Sequence, residues 1–373
     1  MKRLNPEELY ELRECTDGQY RSDAPQVKLE EKDNWMTSFV TGLAPLCYRT
    51  EKKAQYLIWA NCCKKAYHDK VFLTPLESMH DIGFLYLPYS HAMYQLTGDN
   101  GHRDDLLKAA DELLKRFDIR GQYLDAWGRM DDDNRTGRAI IDSMMNIQLL
   151  FRAWKITGHT MYRDVAKAHM DTTIQYFVRE DGSVCHSFEF DRRTGHVIRE
   201  DNTCGYQNGS YWSRGASWMI YGLAMASGYL NDSYYHELAV RLLDAYLEQL
   251  SEGFVPVWDF RLPRELPAMK NRFTYGAEWD EADSANRRCN LDTSAAAIVC
   301  CAMLELDRIE GSDRYRDMVK ATLEELCDNY FNEDPLVPGM LSHSNGRQHY
   351  CTFGDYFFVQ ALQCFLYHTE TCW

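Results

Sequence analysis

The chain has 373 residues, with 41 basic against 56 acidic side chains and a net charge of −15. That length accommodates one large domain or two ordinary ones and buries a substantial core. The negative balance excludes nucleic acid and anionic membrane as partners, because neither is drawn to such a surface, but it permits a small anionic substrate held by a local arginine.

The opening MKRLNPEELYELRECTDG lacks the apolar run of a secretion signal, and no stretch of about 18 apolar residues occurs further on. Thirteen cysteines are scattered, and several (Cys300, Cys301, Cys364) lie inside apolar runs. No CxxC or HExxH spacing occurs, and Cys62 and Cys63 are adjacent, so neither a disulfide framework nor a zinc site is expected. The chain reads as cytoplasmic, with no metal and no cofactor; nothing in it reads on oligomeric state.

An internal repeat sets the architecture. Gly98, Gly158 and Gly311 each end an apolar segment and are followed five residues later by Arg-Asp, at 103–104, 163–164 and 316–317. An amphipathic segment then closes on an aromatic, as in LLKAADELLKRF, AKAHMDTTIQYF and VKATLEELCDNYF. Glycine ends a helix readily in a left-handed cap, so each unit is an apolar helix, a tight turn and an amphipathic helix. A degenerate copy runs from Gly228 to Leu250.

In chain order the predicted pairs are 36–49 with 51–68, 80–97 with 100–117, and 138–157 with 160–178. Next come 211–228 with 232–251 and 291–310 with 312–330. The last apolar helix, about 353–368, has no partner after it; a helix over 6–15 would supply one and close a ring. Six apolar helices inside six amphipathic ones make an all-α (α/α)6 barrel, expected as a single domain over residues 1–373. Turns within pairs are short, whereas the links 118–137, 179–210, 252–290 and 331–352 are long and gather at one end of the ring. Loops of that length are usually functional. These carry Trp127, His186, Tyr206, Trp258, Trp279 and His343. Residues 183–198 alternate around a turn and are expected to form a small hairpin.

The stretch 137–154, GRAIIDSMMNIQLLFRAW, is apolar on nearly every side, as in a helix buried all round, yet it carries Asp142 in its first turn. Asp81, Asp292 and Asp355 open apolar helices in the same way. Capping of free backbone N–H groups is the favoured reading for Asp292 and Asp355. For Asp81 and Asp142 it is the smaller part. All four converge beneath the aromatic loops, and an aromatic-rich pocket with paired carboxylates suits a carbohydrate: indole faces stack on sugar rings while acids handle protons. An Asp at a helix N-terminus has its pKa lowered, whereas protonating carbon needs it raised, so burial and the charge of Asp81 have to prevail over the dipole.

HDIGF at 80–84, RAIIDSMMNIQLLFRAW at 138–154, DGSVCHSFEFDRRTG at 181–195 and GYQNGSYWSRGASWMIYG at 205–222 resemble the bacterial unsaturated glucuronyl hydrolases, glycoside hydrolase family 88. PVWDF at 256–260, LDTSAAAI at 291–298 and GDYFF at 354–358 fit the same pattern, so the resemblance runs from about Trp35 to the last residue. It implies an (α/α)6 barrel that removes a 4,5-unsaturated uronic acid from the non-reducing end of lyase-generated glycosaminoglycan oligosaccharides. The implied chemistry is hydration of the C4=C5 vinyl ether, after which the hemiketal opens and expels the rest of the chain. The rule linking carboxylate separation to stereochemistry therefore does not apply.

By the same resemblance Asp142 is the general acid/base and Asp81 assists it. His186 and Trp212 line the pocket, His80 stands beside the acids, Arg214 meets the substrate, Trp218 stacks and Trp35 closes the near side. Cys204 stands where the family has glutamine, Ala216-Ser217 where Gln-Ala is common, and Gln207-Asn208 where an acidic pair is common; the first inner helix lacks the family's usual tryptophans. These departures bear on substrate preference more than on reaction type. Arg264 and Arg347 are the candidates for sulfate recognition at the rim. Three other readings stay open: an unsaturated rhamnogalacturonyl hydrolase acting on pectin fragments, an (α/α)6 sugar epimerase using two histidines, and a carbohydrate-binding barrel without chemistry.

Overall fold

The computed structural model describes residues 14–16, 19–20, 35–132, 137–250, 253–262, 290–337, 339–344, 349–371 and 373. Two short strands, β1 (Glu14–Thr16) and β2 (Gln19–Tyr20), precede the first inner helix, which is broken into α1 (Thr37–Thr41) and α2 (Leu43–Glu51). The chain returns outside through α3 (Ala54–Asn61) and α4 (Lys64–Phe72). The second inner position holds α5 (Ile82–Tyr86), a π-helical turn (Leu87–His91) and α6 (Ala92–Thr97), backed by α7 (Asn100–Leu114). Strands β3 (Phe117–Asp118), β4 (Tyr123–Leu124) and β5 (Gly137–Ile140) lead to α8 (Ser143–Asn146) and α9 (Gln148–Thr157), backed by α10 (Thr160–Phe177). After β6 (Ser187–Phe190) and β7 (Val197–Glu200) come α11 (Ser213–Leu230) with α12 (Ser233–Leu247), then α13 (Thr293–Glu310) with α14 (Arg316–Asn329). Strand β8 (His349–Cys351) opens onto α15 (Thr352–Tyr367).

Each inner helix packs on the next, and α15 packs back onto α1 and α2, which closes the ring of six. The burial pattern follows the two helix types. In α11 every residue from Ser213 to Ser227 is buried. In α12 only Tyr235, Leu238, Ala239, Leu242, Leu243 and Tyr246 are, the three-and-four spacing of a one-sided helix. Aromatic rings from opposite helices meet inside the ring. Phe84 lies 5.2 Å from Trp218, Trp218 5.3 Å from Phe357, and Phe357 stacks at 5.5 Å on Trp373.

Gly98, Gly158 and Gly311 cap their helices with positive φ, as the repeat predicts. The degenerate unit differs: α11 runs past Gly228, and Asn231 takes the left-handed cap instead. Asparagine adopts that conformation at lower cost than most side chains.

Three further expectations are corrected. The stretch from Gly137 is a strand through Ile140 and turns helical only at Ser143, because Gly137–Ile140 pairs antiparallel with Ser187–Phe190. The second inner helix is interrupted by the π turn at Leu87–His91, where Pro88 has no N–H to give the ladder. Of the helix expected over 6–15, residues 6–13 lie outside the described residues. Residues 14–16 form β1, which pairs with β2 and β8. The hairpin expected at 183–198 is β6 with β7, antiparallel across a turn. Trp279, Arg264 and Arg347 lie outside the described residues.

Close approach of α11 to α8 rests on Gly222, where a Cβ would lie 2.6 Å from the Met144 carbonyl oxygen and 2.8 Å from its Cβ. Gly222→Ala forces these backbones apart and is expected to cost about 1–3 kcal/mol. Urea denaturation should show a lower midpoint with an unchanged slope.

Candidate active site

The N-terminal ends of α5, α8, α11 and α13 face one another across the mouth, and an aspartate stands at the cap position of three of them. Their side chains are used differently. Asp292 caps its own helix, accepting from the N–H groups of Ser294 (3.1 Å) and Ala295 (3.2 Å). Asp355, within the first turn of α15, accepts instead from the N–H groups of Met340 (2.9 Å) and Leu341 (2.8 Å) and so fixes the preceding loop. Asp81 and Asp142 sit at N-cap positions yet make no side-chain cap bond. The two acids assigned to chemistry are thus the two that the helices do not use as caps.

A strand pair delivers Asp142. In the β5–β6 ladder Arg138 faces Glu189 and Ile140 faces Ser187, and the Ile141 N–H donates to the His186 carbonyl (2.9 Å). One residue further, Asp142 Oδ2 comes within 3.9 Å of His186 Nε2. The ladder is clamped by Arg138, whose guanidinium lies 2.6 Å from both Glu189 and Asp201 and 5.1 Å from the Trp127 ring.

Asp142 keeps 15% of its side chain exposed, and its Oδ2 has no hydrogen-bond partner among the described residues. Burial pushes its pKa from 3.8 up to about 6, against the opposing charge of Arg214 and a backbone hydrogen bond. Burial alone therefore outweighs both, and the charge of Asp81, expected to help, does not contribute to the shift. His186 is pushed down to about 3 by burial and by Arg138 and Arg214. Its Nδ1 accepts the Thr203 N–H (3.2 Å), so the neutral ring carries its proton on Nε2, toward Asp142.

His80 is held well below the usual histidine range by burial and by Arg116, His169 and His186. Its Nδ1 lies 2.8 Å from Ser143 Oγ and its Nε2 3.3 Å from Asp81 Oδ1. At 2% exposure it lies beneath the acids rather than in the open pocket. Arg214 pairs with Asp292 (3.2 Å), its guanidinium 4.7 Å from both the Trp212 and Phe353 rings. Trp212 in turn meets His186 edge-to-face at 5.3 Å. Trp35 is half-buried, stacked on Phe353 at 5.4 Å, and lies 5.3 Å from Phe84. Trp218 departs from the expectation of a stacking residue. It is 0% exposed, packed between Phe84 and Phe357, and offers no face to a sugar.

Most aromatics and polar groups of the long loops are anchors. Trp258 is buried and donates its N–H to the Asn290 carbonyl (2.5 Å), while Asp259 accepts from the N–H groups of Tyr206 (2.8 Å) and Tyr211 (3.0 Å). His343 has a positive φ of 61° and packs on Tyr330. Residues that the sequence reading does not single out include Arg138, Ser143, Thr203 and Asn146. Asn146 carried a readable signal: it is a polar side chain in an apolar run, one helical turn after Asp142.

No protein-family model matches the chain. A Bacillus sp. (strain GL1) protein named unsaturated glucuronyl hydrolase is 32% identical over 347 residues, 90% of this chain and 86% of its own. A Streptococcus pneumoniae protein named unsaturated chondroitin disaccharide hydrolase is 30% identical over 346 residues, 89% and 82% of the two chains. The solved structure of the unsaturated glucuronyl hydrolase from Bacillus sp. GL1 matches with a TM-score of 0.82 and 28% identity, covering 97% of this chain and 92% of that one.

Because Asp142 ionises in the folded site only above about 6, against 3.8 as the reference, its charged form opposes folding. That opposition is absent below about pH 4 and complete once the pH has risen through about 6, where it amounts to about 2–3 kcal/mol. Asp142→Asn should therefore raise the urea midpoint near pH 8 and leave it unchanged near pH 4.

Proposed function

We propose, for a chain that belongs to the unsaturated glucuronyl hydrolase family, that it removes a 4,5-unsaturated glucuronic acid from the non-reducing end of lyase-generated glycosaminoglycan oligosaccharides. The observation that carries this reading is the carboxyl of Asp142, held by burial at about 6 beside a neutral histidine. A vinyl ether is protonated at carbon, which needs an acid that is still protonated near neutral pH and a strong enough base afterwards to take a proton from water. An ordinary carboxylate at 3.8 would be almost wholly ionised there.

In this reading the Asp142 carboxyl delivers its proton to C4, and positive charge develops at C5 and the ring oxygen. Water adds at C5 and gives its proton back to the Asp142 carboxylate. The hemiketal so formed opens and expels the remaining sugar. Asp81, whose Oδ1 lies 3.3 Å from His80 Nε2, supplies negative charge against the developing cation. His186 presents its Nε2–H to Asp142 and steadies the carboxylate between the two proton transfers. Arg214 is the cation suited to the substrate's uronate, because its pairing with Asp292 and its place between two rings fix the guanidinium in one orientation. Trp35 closes the near side. The names of the relatives favour chondroitin-type disaccharides over pectin fragments as first substrates.

The C4=C5 bond absorbs in the ultraviolet, and its loss reports hydration directly. The purified chain is expected to bleach an unsaturated chondroitin disaccharide, and Asp142→Asn to lower kcat by about 10²–10⁴-fold. With Asp142 as the acid, kcat/KM should fall about tenfold per pH unit above about 6. Unchanged absorbance on glycosaminoglycan and pectin disaccharides alike would overturn the reading.

A further inference from the structure

Asp81 is the N-cap of α5, and a capping aspartate normally accepts the N–H of the second or third residue of its helix. Here the third N–H, that of Phe84, goes elsewhere: it donates to Asn146 Oδ1 at 2.7 Å. Asn146 lies at the last position of α8, the short helix that begins beside Asp142, and is 0% exposed. Its amide nitrogen donates to the Asp142 carbonyl (3.0 Å) and reaches Asp81 Oδ1 at 3.5 Å. The approach depends on Gly83, where a Cβ would lie 2.5 Å from both the Asn146 Cα and its carbonyl oxygen.

We infer that Asn146 is a positioning residue that caps α5 in place of Asp81 and thereby holds the Asp81 carboxylate in the active site. A buried helix N-terminus needs an acceptor for its free N–H groups. With Asn146 present, that acceptor arrives from the neighbouring helix, and the carboxylate stays with His80 and the Asn146 amide. Without it, the acceptor that a helix start ordinarily uses for this N–H is the side chain of its own N-cap residue, Asp81. The helix then repairs its own cap and the site loses its second acid. The donation of the same side chain to the Asp142 carbonyl, one turn back, holds the amide in the orientation that presents Oδ1 to α5.

The consequence for catalysis rests on the hydrolase reading above. Its test compares Asn146→Ala, Asp81→Asn and the double variant of the full chain on an unsaturated chondroitin disaccharide. Asn146→Ala should lower kcat about 10–100-fold with KM within about threefold. A residue acting only through Asp81 costs nothing once Asp81 is gone, so the double variant should be no slower than Asp81→Asn alone. Penalties that multiply, or a wild-type kcat in Asn146→Ala, would overturn the inference. Crystal structures of the variants test it independently of turnover. In Asn146→Ala the Asp81 carboxylate should swing to within hydrogen-bond distance of Phe84 N. An unmoved Asp81 in the alanine variant would defeat the inference even if the chain proved inactive on every disaccharide, whereas inactivity of wild type alone defeats only the hydrolase reading.

Discussion

Taking one carboxylate out of water is the constraint that the mouth of this barrel is built around. Asp142 stands at a helix N-terminus and within the field of Arg214, and both favour its ionised form. Against these, burial is large enough to carry the pKa to about 6. That balance needs water kept from most of the carboxylate, which is 15% exposed. The β5–β6 ladder, Trp212 against His186 and the loop holding Thr203 supply this exclusion. The loops over the mouth act first as insulation. The clamp of Arg138 on Glu189 and Asp201 belongs to the same function, since a ladder free to fray would let water reach the carboxylate.

The aspartates around the mouth divide into two groups by what their oxygens accept. Asp292, Asp355 and Asp259 receive backbone N–H groups and hold helix ends and loops. A carboxylate fed by backbone donors is stabilised as the anion and makes a poor acid. Asp81 and Asp142 make no cap bond to their own helices, in Asp81's case because Asn146 supplies the cap from α8, and the one backbone hydrogen bond that favours the Asp142 anion is outweighed by burial. Reactivity at these two positions is therefore a matter of which neighbours take over the structural work.

The barrel was legible because its signals are local. Glycines at fixed offsets before Arg-Asp mark three of the helix turns, and left-handed caps at Gly98, Gly158 and Gly311 follow directly from glycine's freedom at positive φ. The apolar runs at Ser213–Leu230 and Thr293–Glu310 could only be inner helices. What failed was equally physical. RAII after Gly137 has no helix-breaking residue, and only its partner SFEF, some 50 residues later, makes it a strand. Long-range pairing leaves little trace in a local window. Trp218 is a separate case: the family resemblance implied a stacking residue, yet its ring packs inside the barrel between Phe84 and Phe357. Asn146 stands out as a polar side chain in an apolar run, but its role does not, because its partner, the Phe84 N–H, is a backbone group that no side-chain motif announces.

The protonation states of the mouth also separate the chemistries that a barrel of this kind can host. An epimerase working through two histidines needs one ring to give and one to take a proton near neutral pH. Among the described residues His80 and His186 are the histidines beside the acids, and burial together with neighbouring arginines drives both far below that range. At about 3, His186 is too weak a base to draw a proton from a sugar carbon. Its Nδ1 is committed to Thr203, and both Nε2 atoms point at carboxylates. As neutral rings, the two lie beside Asp81 and Asp142 without competing with them for the proton. Near neutral pH the proton is therefore held by Asp142 rather than by either histidine, which suits adding water across a double bond and not a two-base exchange between the rings.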